Sequence, residues 1–203
     1  MWKRSWLLCG LAILLVASMS CIFDPPEKKG DGGCDDCASL KLENQTQKWH
    51  VLNNIEYAYA NRSSGYQVYE ELLDDDFVFF FAPGDIGGEI PEQWYRPEEL
   101  STTQGLFLSN SGTVNGPVCR SMRLDLQYNK DTQPWVEVVP EDFPDETWYT
   151  TTVYYTFTFE MEPDLTLIAV PGAKAQFTVR DADPDPTKER WVLREFRDLA
   201  GNN

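Results

Sequence analysis

The sequence predicts an α+β fold with early helices packed in a curved antiparallel sheet. Three observations predict it. Apolar residues recur at helical spacing only ahead of about Ser109, and apolar and polar residues alternate through most of the chain after Val118. The chain of 203 residues also offers one core rather than two once a leader and a tether are set aside. With 42% apolar and 13% aromatic residues it can fill that core, and its many Tyr, Phe, Trp and Thr favour strands.

The opening residues carry a different signal. Lys3 and Arg4 precede the apolar run Trp6 to Ala17, which closes on small residues. That run is short for a membrane span, and the pattern is that of a secretory signal peptide over residues 1–20. The ending Ser18-Met19-Ser20-Cys21 resembles a bacterial lipoprotein box. The resemblance implies an acylated Cys21 that anchors the mature chain in a lipid bilayer. Ile22 in place of an Asp after that cysteine is similar to the outer-membrane sorting pattern of two-membrane bacteria. The expected location is the cell envelope, on the periplasmic or extracellular face, and the outer rather than the inner membrane. Residues 21–42 then form a Pro- and Gly-rich polar tether that buries too little apolar area to order itself.

Cysteines add little chemistry. Cys34 and Cys37, separated by two Asp, form a candidate disulfide within the tether, and Cys119 is left without an assigned partner. No second Cys pair completes a zinc site. The two intervening acids raise the thiol pKa values, which argues against a redox dithiol.

The domain is expected over residues 43–203. From Glu43 to about Asn61, Val51, Leu52, Ile55, Ala58 and Tyr59 share one helical face, while His50, Glu56 and Tyr57 point elsewhere. After a break at Ser63-Ser64-Gly65, Tyr66, Tyr69, Leu72 and Leu73 continue an apolar stripe that Asp74-Asp75-Asp76 ends, because three acids oppose the dipole at a helix C-terminus. Phe77 to Phe81 is apolar on both faces and predicts a short strand stopped at Pro83-Gly84. Gly84 to Tyr95 predicts a long loop or frayed hairpin. Pro97 suits the first turn of a third helix, with Glu98 and Glu99 favouring its dipole, running to about Ser109. Strands are expected over Val118 to Tyr128, Tyr149 to Met161, Ala173 to Val179 and Arg190 to Asp198.

The formal net charge is -16, which repels phosphate backbones and excludes nucleic acid as a natural partner.

The run Asn53-Asn54-Ile55-Glu56-Tyr57-Ala58-Tyr59-Ala60-Asn61-Arg62, then Tyr69 through Phe79, resembles the opening of nuclear transport factor 2-like domains, also called SnoaL-like. The third helix and the closing strand Arg190 to Asp198 look like that family's ending. The resemblance implies a cone with an apolar pocket between the first helix and the concave sheet face, lined in this sequence by Tyr59, Phe79, Trp94, Tyr155 and Trp191. It also implies a family that holds isomerases, dehydratases and polyketide cyclases beside non-catalytic members, often dimeric through the outer sheet face.

The residues favour the non-catalytic side. The steroid-isomerase type places a base just before the proline that follows the first strand, where this chain has Phe81 and Ala82. The dehydratase type uses a His-Asp pair, and His50, the one histidine, lies off the apolar face and is expected in solvent. Asp181, Asp183 and Asp185 have the alternate spacing of a calcium loop, but Pro186 and Val192 stand where the EF-hand needs Gly and Glu. No phosphate loop, nucleophile elbow or zinc motif is present, and neither a cofactor nor a metal is expected. The expectation is therefore a lipid-anchored module that binds an apolar small molecule or an envelope protein. An isomerase or cyclase using a pocket carboxylate, with Asp125 and Glu195 the acids to inspect, and a homodimeric assembly module bearing Tyr154 and Thr residues on its exposed face are the alternatives.

Overall fold

The computed structural model describes residues 40–88, 90–108, 118–162, 166–183, 185 and 187–199. All lie in one compact unit, Leu40–Asn203. The signal peptide, Cys21, Cys34 and Cys37 lie outside the described residues, and among those described no helix is long and apolar enough to cross a membrane.

In chain order the described elements are α1 (Lys48–Ala60), α2 (Arg62–Leu72), β1 (Leu73–Phe80), β2 (Gln93–Tyr95), α3 (Arg96–Leu108), β3 (Val118–Gln127), β4 (Val136–Val138), β5 (Trp148–Glu162), β6 (Thr166–Asp181) and β7 (Trp191–Leu199). Three helices thus pack against a curved sheet of seven strands among the described residues, ordered β2-β1-β7-β6-β5-β3 with β4 on the edge of β5. The α+β cone-like class holds. One pair departs from the antiparallel expectation: β1 runs parallel to β7, so the sheet is mixed. A strand made before α3 and one made last meet side by side, a long-range pairing that local pattern does not announce.

The apolar face of α1 is buried as its spacing predicts, with Val51, Leu52, Ile55 and Ala58 fully covered. His50 departs from expectation: it is buried, its Nε2 lies 3.9 Å from Glu43, and its ring meets Trp49 edge-on at 4.1 Å. The segment ahead of α1 covers it, and Glu43 is fixed there by exchanging hydrogen bonds with Asn54.

The break between the first two helices falls at Asn61, and Ser63 to Gly65 lie inside α2. Gly65 is needed for close approach rather than for a turn. A Cβ built on it would stand 1.9 Å from the carbonyl oxygen of Ala58, so only glycine lets α2 cross α1 at this distance.

Asp74 does not end a helix but is the second residue of β1. Its buried carboxylate takes Arg180 Nε at 2.7 Å, faces Arg194 Nη1 at 3.9 Å and accepts the Asp76 N–H. These contacts tie β1 to the strands behind it, which explains why an acidic triplet continues as sheet.

The Gly84 to Tyr95 segment ends in the short strand β2, paired antiparallel with β1. Strand β4 lies outside the expected set, since its three exposed residues carry no alternation long enough to see. Strand β6 starts at Thr166, ahead of the expected Ala173, because Pro171-Gly172 makes a bulge instead of a turn. The register steps from Tyr155↔Ala173 to Phe157↔Val170, and Gly172 supplies the required positive φ of 65°. This and other register shifts, in β1 against β7, β3 against β5 and β6 against β7, bend the sheet around the helices.

Candidate functional site at the end of the concave face

Strand pairing places one row of rings on the helix-facing side. Trp94 of β2 opposes Phe79 of β1, Phe79 opposes Phe196 of β7, and Phe196 opposes Phe177 of β6. Ring centroids lie 6.3 Å apart for Phe79 and Trp94, 5.0 Å for Phe79 and Phe196 and 4.6 Å for Phe177 and Phe196. Phe81 closes the outer end, 4.9 Å from Phe79 and 4.6 Å from Trp94. Phe177 is fully buried, whereas Phe79, Phe81, Trp94 and Phe196 are half-buried, so the row leads from the core to a partly open aromatic surface.

One polar pair stands beside it. Tyr155 on β5 and Asp198 on β7 are separated by β6, whose facing residues there are Ala173 and Ala175. These small side chains leave room for the Tyr155 hydroxyl to donate to Asp198 Oδ1 at 3.1 Å. Burial holds the Asp198 carboxyl above the ordinary aspartate range; the Tyr155 hydrogen bond pulls the other way, and the charge of Asp85 adds to the rise. Burial also raises the Tyr155 phenol, with Asp198 and Asp85 contributing.

The structure thus gathers Phe79, Trp94 and Tyr155 of the five expected lining residues. Tyr59 lies in the adjoining core, edge-on to Tyr69 at 5.6 Å and to Phe157 at 4.9 Å, and 5.1 Å from Phe107. Trp191 sits at the other end of β7, edge-on to Tyr149 at 5.5 Å, with the Lys48 ammonium 3.9 Å from the Tyr149 ring centre and 4.4 Å from that of Trp191.

Neither carboxylate singled out in the sequence faces the interior. Asp125 is paired with Arg123 at 2.6 Å on the wet side of β3. Glu195 pairs with Arg197 at 3.3 Å and accepts from Thr178. The reason is the register shift between Thr178 and Val179, where Arg194 is the extra residue of β7. Strict alternation from Leu193 would turn Glu195 inward; the bulge turns Phe196 and Asp198 inward instead. Nothing in the local sequence marks that bulge.

Two further acids escape sequence reasoning. Glu99 on α3 is buried and accepts from the Tyr69 hydroxyl at 2.8 Å; burial raises its pKa and the Tyr69 bond offsets part of the rise. Glu56 on α1 accepts the Leu126 N–H at 2.6 Å, and its pKa is pushed up to about 7, chiefly by burial. As a helix first-turn acid and an off-face residue, neither carries a local signal of burial.

Other features carry no site. Asp181, Asp183 and Asp185 spend their side chains on backbone N–H groups of the same loop, and no acid, His or Cys group among the described residues is arranged to hold a metal. Cys119 is a buried free thiol whose pKa is raised by burial. A cavity of about 230 Å³ between Arg96, Arg180, Arg190 and Asp74 lies away from the rings.

A scan against protein-family models finds no match to this chain, and no curated protein matches it. Solved structures give distant likenesses. A nuclear transport factor 2-like superfamily protein from Salmonella enterica serovar Typhimurium is 14% identical, covering 77% of this chain and 93% of its own at a TM-score of 0.45. A nuclear transport factor 2-like protein of unknown function in nutrient uptake from Rhodospirillum rubrum is 12% identical, covering 76% and 98% at 0.45. A conserved protein from Planctomyces limnophilus is 15% identical, covering 72% and 88% at 0.44. At these scores the likenesses lend the chain no activity.

Proposed function

We propose that the domain is a nuclear transport factor 2-like binding module that holds a small, largely apolar ligand at the end of its concave face, on a chain anchored in the cell envelope through Cys21. The observation that carries the reading is the half-buried row Phe81, Trp94, Phe79 and Phe196 with the Tyr155–Asp198 pair beside it. Several aromatic walls and few polar anchors are what a small-molecule site needs for area and orientation. The order helix, helix, strand, helix and late sheet supports the family resemblance. The anchor rests on the sequence of residues 1–21.

Native mass spectrometry of the protein purified from cells, set against its denatured mass, tests the binding reading. A retained small molecule that Trp94→Ala releases is the expected result. An empty protein that also fails to retain any member of an apolar small-molecule panel would overturn it.

A second reading is favoured by the raised pKa of Asp198 and its position beside the open rings: an isomerase-type proton transfer with Asp198 as base and the Tyr155 hydroxyl as donor. Its mark is conversion of the retained molecule, lost in Asp198→Asn while binding persists.

A further inference from the structure

Resting on the ligand-binding reading above, we propose that this site selects an organic cation, an ammonium group carried on an apolar body. The geometry points there in three ways. Aromatic faces attract cations through their negative quadrupole, and Phe79, Phe81, Trp94 and Phe196 leave part of their rings uncovered. The carboxylates beside them are Asp198, half-buried, and Asp85, exposed in the turn after β1, and neither has an ion-pair partner among the described residues. The neighbouring bases are turned to the opposite side of the sheet: Arg197 lies 3.5 Å from the centre of the Phe80 ring and Lys174 5.3 Å from that of Tyr154.

The alternatives fare worse on charge. Among the described residues an anionic ligand would meet two carboxylates and no base on this side of the sheet, and a neutral one would cover Asp198 without compensating it. Burial is the main cause of the raised Asp198 pKa, and the smaller part that the charge of Asp85 adds is like-charge repulsion that a bound cation relieves. The net charge of -16 steers cations toward the protein in general, so the test must separate site from surface.

Three probes of equal chain length do so: octyltrimethylammonium, octanol and octyl sulfate, titrated calorimetrically into the full chain below their micellar concentrations. The expected result is at least about tenfold tighter binding of the ammonium, an advantage that shrinks as salt is raised. Asp198→Asn and Asp85→Asn should each weaken the ammonium by about three- to tenfold and leave octanol unchanged, whereas Asp125→Asn, on the wet side of β3, should change neither. Asp85→Asn keeps the test decisive if Asp198→Asn fails to fold, because Asp85 is exposed. Equal affinity for octanol or octyl sulfate, or an equal loss in Asp125→Asn, would overturn the cation inference while leaving a ligand site in place. No binding of any probe would overturn both.

Discussion

Tyr155 and Asp198 meet across an intervening strand, hydroxyl to carboxylate at 3.1 Å, because Ala173 and Ala175 of β6 leave the space between them open. Replacing Tyr155 by Phe removes a bond that lowers the Asp198 pKa, so that pKa should rise further, while stability falls by about 1–2 kcal/mol. A ¹³C titration of the Asp198 carboxyl in both proteins checks the direction; an unchanged or lower midpoint in Tyr155→Phe would contradict the arrangement.

Glu56 gives a pH dependence. Its folded pKa is raised to about 7, so its contribution to stability is fully present at pH values below the unfolded carboxylate pKa and is lost as pH rises toward 7. Glu56→Gln keeps an acceptor for the Leu126 N–H and cannot ionise. Relative to the parent it should gain on the order of 1–3 kcal/mol between about pH 4.5 and about pH 8, the lower part of that range reflecting solvent screening of a part-exposed group. Urea midpoints at several pH values measure it, and a difference independent of pH would refute it.

Gly65→Ala tests the helix crossing. Helix propensity alone would favour alanine by about 1 kcal/mol, but the added Cβ would fall 1.9 Å from Ala58 O. We expect a net loss of about 2 kcal/mol or more and a lower melting temperature. A stabilised variant would show that α1 and α2 do not cross this closely.

Asp74→Ala should be among the most damaging single changes, costing about 3–5 kcal/mol, since it strands Arg180 and the buried Arg194. Asp75→Ala, one residue on and exposed, should fall within about 0.5 kcal/mol of the parent. Similar losses in the two would remove the distinction drawn between them.

Glu99→Gln retains an acceptor for Tyr69 and should cost less than Glu99→Ala, which removes the group that accepts from the Tyr69 hydroxyl in the core and leaves Tyr59 as that hydroxyl's hydrogen-bond partner. The expected gap is about 1–3 kcal/mol by denaturant unfolding, and the reverse order would count against the buried pair.

The α+β class and the order of the three helices and the five longer strands are legible in the chain alone, since they rest on local signals that survive in any environment. The spacing of Val51, Leu52, Ile55, Ala58 and Tyr59 permits one buried helical face, and the alternation of Met122, Leu124 and Leu126 with Ser121, Arg123 and Gln127 permits one wet strand face. The inward placement of Phe79, Trp94 and Tyr155 is legible too, because large aromatics at inward positions have few other places to go. Which carboxylate faces them is a matter of long-range packing. A single extra residue at Arg194 inverts the faces of β7, sending Glu195 to the outer side and Asp198 inward, and that bulge is set by pairing with β6, a partner no local pattern specifies. The same holds for Gly65, Asp74 and His50: a glycine, an acid and a histidine whose ordinary meanings are displaced by Ala58, Arg180 and Glu43, neighbours supplied by packing rather than by adjacent sequence.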